Sequence, residues 1–282
     1  MVIPELQFVL GGAFVGFIVG MTGVGGGSLM TPLLTLVFGV PAQVAVGTDL
    51  LFASVTKAGG IVTHARKGNV NWSITGWLVA GSVPAAALTL GGLHLAGLDN
   101  GALAKVMARG LGVALFMTAS AILLRNQIRA LGQKLAARRM AAATPGGGTI
   151  EVEVEVAIER DAEAVRVLPT FLLGLTIGTL VALTSVGAGA LGVVALLFLY
   201  PNAPVRRIVG ADIAHAVPLT LVAGAGHAIM GSVNWSMLAA LLIGSLPAIT
   251  LGSHLTAKVP EKLLRGFLAT MLVVIGAKLV FS

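Results

Sequence analysis

Thr22-Gly23-Val24-Gly25-Gly26-Gly27 is answered 162 residues later by Thr184-Ser185-Val186-Gly187-Ala188-Gly189. Outward from these two stretches, the match continues at an offset of 163. Gly47-Thr48-Asp49 pairs with Gly210-Ala211-Asp212, His64 with His227, Asn71-Trp72 with Asn234-Trp235, and Gly81-Ser82-Val83-Pro84 with Gly244-Ser245-Leu246-Pro247. An even offset across so many landmarks marks an internal duplication. In a strongly apolar chain, a duplication interrupted by glycine turns is the pattern of membrane proteins that move solutes.

The chain is that apolar. Of its 282 residues, 56% are hydrophobic and only 10% charged, where a soluble domain carries about a quarter charged residues. The net charge of +7 comes from lysines and arginines in loops beside a membrane, with Arg125, Arg129, Lys134, Arg138 and Arg139 in one cluster. No basic stripe is interleaved with stacking aromatics, so a nucleic-acid partner is not expected. There is no cysteine, which excludes disulfides, thiolate metal sites and cysteine nucleophiles. The N-terminus lacks a basic region and a small-residue cleavage site, and reads as the start of the first membrane element.

Apolar segments run roughly over Leu6–Met21, Leu29–Val40, Val44–Ile61, Ile74–Leu95 and Leu103–Leu124, then Leu168–Leu183, Ala190–Tyr200, Ile208–Ile229, Trp235–His254 and Leu263–Phe281. The expected organisation is a first transmembrane repeat over 1–124, a cytoplasmic linker over 125–167, and a second repeat over 168–282. The second element of each half is too short to cross straight, since a full span needs about 20 residues. Each half therefore opens with a broken or re-entrant helical hairpin at its glycine turn.

Five elements is an odd number, so the halves are expected to insert in opposite orientations. The basic loops agree: Arg66-Lys67 follow the third element of the first half, whereas Arg206-Arg207 follow the second element of the second half. The matching loop of each is bare of Lys and Arg. The positive-inside rule then places the linker and these basic loops in the cytoplasm. In the linker, Arg125 to Ala143 reads as a helical extension, Thr144 to Gly148 as a break, and Glu151 to Val156 as a short strand or a solvated spacer.

The residues that carry chemistry cluster at the repeated landmarks. A helix break at membrane depth needs a protein-lined cavity, because every backbone donor must be satisfied there. The helices starting at Ser28 and Ala190 would aim their N-termini into that cavity, which suits an anion. Thr22, Ser28, Thr184 and Ser185 supply hydroxyls beside it. The alternative for the glycines is close packing of helices by small residues. Asp49 and Asp212 lie in apolar runs, where a carboxylate needs a partner or a cavity; each is either a helix cap or a proton-coupling group. Lys57, unmatched in the second half, is an anion ligand, a partner of Asp49, or a snorkelling side chain. His64, His215 and His227 are either proton relays or backbone-bonded helix-end residues. Trp72 and Trp235 read as interfacial anchors beside capping Asn71 and Asn234. No metal pattern and no phosphate-binding loop occur, so neither metal nor cofactor is expected.

GMTGVGGGSLMTPLL at 20–34 and GVPAQVAVGTDLLFASVTKAGGIVTHARKGNVNW at 39–72 resemble the TauE/SafE sulfite exporter family of membrane transporters. VALTSVGAGALG at 181–192 and PVRRIVGADIAHAVPLTLVAGAGHAIMGSVNW at 204–235 resemble its degenerate second copy. The resemblance implies export of sulfite or a small organosulfonate across the bacterial inner membrane. It also implies site positions at Gly25, Gly26, Gly27 and Asp49, and at Gly187, Gly189 and Asp212. Ala188 stands where the first copy has Gly26, so the two half-sites are expected to differ.

The reading as a whole is an all-α membrane protein built of two inverted repeats. It is expected to be a secondary transporter of a small sulfur oxyanion, coupled to protons and working by alternating access. Its partners are the anion, protons and the lipid bilayer. A passive anion channel, and an intramembrane enzyme using Asp49 and Asp212, are the alternatives.

Overall fold

The computed structural model describes residues 4–22, 27–97, 100–143, 165–255 and 261–281. They form ten α-helices: α1 Pro4–Thr22, α2 Gly27–Leu36, α3 Ala42–Arg66, α4 Trp72–Leu95, α5 Asn100–Ala143, α6 Val167–Thr184, α7 Ala190–Leu199, α8 Val205–Ile229, α9 Trp235–Leu255 and α10 Glu261–Phe281. No strand occurs among the described residues. Six helices are long and apolar enough to cross a membrane. The chain is a multi-pass integral membrane protein.

Burial follows that assignment. Large apolar side chains such as Leu88, Leu95, Ile229, Ile243 and Leu251 face outward, while Asp49, Lys57, Ser82, Asp212 and His215 are buried. Lipid is as apolar as leucine, so exposing leucine to it costs nothing, and polar groups are what the fold must hide.

The segment boundaries agree with the sequence reading except at α5. Its 44 residues carry the helix past the apolar run, through the first part of the basic linker to Ala143. The helical extension over Arg125 to Ala143 is present. Thr144 to Gly148 and the alternating Glu151 to Val156 lie outside the described residues. Asn71 starts α4 by accepting the N–H groups of Ser73 and Ile74 through Oδ1, both at 3.1 Å. Asn234 does the same before α9, accepting Met237 N–H at 3.0 Å. Trp72 and Trp235 beside them are exposed.

The packing exchanges elements between the halves. α1 lies against α9 and α6 lies against α4, so the first helix of each half seats on the fourth of the other. Glycine makes these seams possible. A Cβ at Gly12 would lie 2.2 Å from the Leu241 carbonyl oxygen, and one at Gly174 would lie 2.5 Å from that of Leu78. Gly16 against Ser245 and Gly178 against Ser82 repeat the pattern at 2.6 and 2.2 Å. Many of the glycines therefore do what small residues commonly do between membrane helices.

α3 packs on its counterpart α8, and the two run antiparallel. Gly47 abuts Ser232 and His227, Gly224 abuts Leu51, and Gly210 abuts Asn69 and His64. This crossing brings Asp49, Lys57, Asp212 and His215 to the middle of the molecule.

Candidate functional site: a buried polar cluster under a glycine turn

Between α6 and α7 the chain turns through Ser185 to Gly189. Ser185 is left-handed at φ 59°, and Gly187 and Gly189 sit at φ 137° and 136°, values that glycine adopts without penalty. Thr184 closes the end of α6. Its hydroxyl bonds the carbonyls of Leu180 (2.7 Å) and Val186 (3.1 Å) and faces the Val186 N–H at 3.1 Å. Gly192 N–H bonds the Gly187 carbonyl and Val193 N–H that of Gly189, each at 2.8 Å. The N–H groups of Gly187, Ala188, Gly189, Ala190 and Leu191 have no acceptor among the described residues.

The first half holds this turn of the second half in place. Ser185 Oγ donates to Asp49 Oδ2 at 3.0 Å, and Thr31 Oγ1 from α2 donates to the same oxygen at 2.5 Å. Lys57 Nζ donates to the Ala188 carbonyl at 2.9 Å. All four side chains are buried. Asp49 Oδ1 is left without a partner.

Two of the alternatives left open for these residues close here. Asp49 and Asp212 do not cap helices: each lies seven residues inside its helix, α3 or α8, and Asp49 accepts hydroxyls instead. Lys57 does not snorkel. It is buried and turned inward, where it feels the charges of both Asp212 and Asp49. The Ser185 and Thr184 hydroxyls, expected beside the cavity, bond Asp49 Oδ2 and the Leu180 and Val186 carbonyls respectively.

Asp212 lies across the cluster. Its Oδ1 is buried without a hydrogen bond, beside the start of α7, where a Cβ on Gly192 would lie 2.2 Å away. His215, one turn on, reaches Ser82 of α4 through Nε2 at 3.0 Å and leaves Nδ1 bare. The other two candidate histidines, His64 and His227, stand apart from this cluster. His227 Nε2 meets the Ala182 carbonyl at 2.9 Å, and His64 lies near the end of α3 beside Gly210. Backbone bonding at a helix end describes His227; His215 belongs to the centre. Asp49 and Asp212 share no hydrogen bond with each other. Thr22 and Gly27 end and begin their helices and Ser28 follows; Gly25 and Gly26 lie outside the described residues.

Sequence reasoning missed Thr31 and Ser82. Thr31 had a usable signal, since it is a hydroxyl one turn beyond the first glycine stretch. Ser82 sits inside the repeated Gly-Ser-x-Pro motif and pairs with a histidine 133 residues away, which spacing alone does not show. A separate groove of about 540 Å³ between α5 and α7 is walled by apolar residues including Phe116, Leu124 and Phe198. It shares no residue with the cluster.

The sequence profile described as Sulfite exporter TauE/SafE matches residues 8–279. The chain belongs to the TauE/SafE family. A probable membrane transporter protein of Bacillus subtilis, YjnA, is 36% identical over 276 residues, covering 98% of this chain and 100% of its own length. A second from the same organism, YdhB, is 26% identical across 94% of this chain and 96% of itself. Probable membrane transporter protein MJ0441 of Methanocaldococcus jannaschii is 26% identical across 93% and 91%. No solved structure matches. Family and relatives alike name a membrane transporter, and this TauE/SafE chain is one.

Proposed function

We propose that the protein is a secondary transporter that exports a small sulfur-containing oxyanion, such as sulfite or an organosulfonate, together with a proton. The observation that carries the reading is the Gly187–Leu191 turn. It offers five unengaged N–H groups at a helix N-terminus, pinned by Lys57. Converging N–H donors beside a helix start suit an oxyanion. Lys57 has three donors and the Ala188 carbonyl takes one of them. Thr22, Gly25, Gly26, Gly27 and Ser28, the first-half counterparts of this turn in sequence, are proposed to contribute to the same site.

Charge balance is the reason for the proton. Asp49, Asp212 and Lys57 sum to one net negative charge when all are ionised. Adding an anion to that buried set costs several kcal/mol unless a proton enters with it. The antiparallel packing of α3 on α8 and the exchanged seams support inverted halves that rock about the shared cluster. By the positive-inside rule, Arg66, Arg206 and the basic end of α5 face the cytoplasm of a bacterial inner-membrane protein.

Purified protein in liposomes is the test. Methanesulfonate is ionised throughout the working pH range, so a proton moving with it belongs to the protein. Uptake of sulfite and methanesulfonate that competes between the two, saturates, and accelerates under an imposed pH gradient is expected. Flux that does not saturate and ignores the gradient would make the protein a passive channel. No flux of either anion would remove the substrate class.

A further inference from the structure

Asp49 and Asp212 occupy matched positions with unmatched surroundings. Asp49 Oδ2 holds the Thr31 and Ser185 hydroxyls. At the offset of 162, Thr31 corresponds to Val193 and Ser185 to Gly23. Both hydroxyls are therefore missing from the second set. Asp212 makes no side-chain hydrogen bond among the described residues, and its buried Oδ1 is bare. Thr220, the counterpart of Lys57, turns its hydroxyl back onto the Ala216 carbonyl at 2.8 Å. One cation thus serves two carboxylates, of which only one is tied down.

The charged and titratable groups around Asp212 are few. α3 brings Lys57, with Asp49 behind it. Its own helix, α8, brings His215, whose Nε2 is occupied by Ser82 of α4. α6 and α7 bring no titratable side chain. Space at Asp212 is equally specific, because any side chain at position 192 would collide with Oδ1.

We infer that Asp212 is the group that takes up and releases the transported proton, and that Asp49 is a fixed strut for the glycine turn. Protonation converts the Asp212 carboxylate to a neutral acid, with the proton on a carboxyl oxygen and no other bond changed. Asp212 then no longer balances Lys57. The ammonium, already seated on the Ala188 carbonyl, becomes available to an anion on the adjacent N–H groups. Release of the proton restores the carboxylate as the partner of Lys57 and expels the anion. Coupling in this form deepens the transport reading and rests on it, whereas the proton site itself is tested with no substrate present.

Infrared difference spectra of the purified full-length protein, taken between acid and neutral buffer, read the protonated-carboxyl band directly. The component from a buried carboxyl without a hydrogen bond, at higher frequency than those of solvent-exposed carboxyls, is expected in wild type and in Asp49→Asn, and is expected to vanish in Asp212→Asn. A band unchanged in Asp212→Asn, or lost in Asp49→Asn instead, would overturn the assignment. If Asp212→Asn does not fold, Asp212→Glu is decisive, because a glutamic acid must shift the band and an unshifted band refutes the site. Liposome uptake of sulfite and methanesulfonate is then compared between wild type and Asp212→Asn. Acceleration by a pH gradient should fall at least tenfold in Asp212→Asn. Wild type that ignores the gradient would sink the coupling while leaving the infrared result standing. Coupling retained in Asp212→Asn would sink the role of Asp212 alone.

Discussion

Removing the Ser185 hydroxyl tests the strut at Asp49 with the smallest change available. Ser185→Ala keeps the Cβ and the left-handed backbone, and deletes only the donor to Asp49 Oδ2. A hydrogen bond to a charged group contributes about 1.5–3 kcal/mol, and its loss here leaves a buried carboxylate with one donor, Thr31. At about 2–4 °C per kcal/mol, a loss of about 2 kcal/mol lowers the melting midpoint of the purified protein by about 4–8 °C. Ser185→Gly loses the same hydroxyl but relieves a left-handed conformation that costs a side-chain-bearing residue roughly 1–2 kcal/mol, so it recovers part of the drop. In an Asp49→Asn background the acceptor is neutral, and Ser185→Ala is expected to cost about 1 kcal/mol less. Thermal melting followed by tryptophan fluorescence measures all four variants. Equal cost of Ser185→Ala in both backgrounds, or Gly melting below Ala, would refute the reasoning.

Lys57→Met strips the Ala188 carbonyl of its donor and leaves two buried carboxylates with no cation; a stability loss of about 3–5 kcal/mol and no measurable liposome flux are expected. Gly192→Ala, by forcing a Cβ into the 2.2 Å gap to Asp212 Oδ1, should abolish gradient-driven uptake more severely than it lowers the melting midpoint. Gly16→Val and Gly178→Val load matched seams, α1 on α9 and α4 on α6, and should reduce the melting midpoint by similar amounts; a large drop in one only would show that the seams are not equivalent. The chain has no cysteine, so Arg66→Cys and Arg206→Cys give clean labelling positions. Both should react with an impermeant thiol reagent from the cytoplasmic side, and reaction from opposite sides would overturn the assigned orientation.

The helix boundaries were legible because the apolar runs end where Gly, Pro and Asn interrupt them. Nine of the ten segments fall within a few residues of their expected limits. α5 ran on past its apolar part because Ala, Leu, Arg, Gln and Lys are all good helix formers and nothing stops them before Pro145. The matched landmarks also proved to be spatial neighbours: His64 and His227 each flank the counterpart glycine, Gly210 or Gly47. What the sequence hid is which half serves which. Ser185 binds Asp49 across 136 residues, and Lys57 reaches Ala188 across 131. Such pairings depend on helices crossing between halves, and no periodicity encodes them. The sequence pattern likewise suggested that Asp49 and Asp212 were equivalents. The hydroxyls of Thr31 and Ser185, which only Asp49 receives among the described residues, separate them.

The single lysine at the centre has one last consequence. Were the halves identical, the two shapes of the proposed alternating access would be related by symmetry and equally populated at rest. Lys57, which stands where the second half has Thr220, lifts that degeneracy. If the proposed rocking of the halves holds, the empty protein rests unequally between its two shapes, because Lys57 bonds the turn of the other half whereas Thr220 bonds back within its own helix.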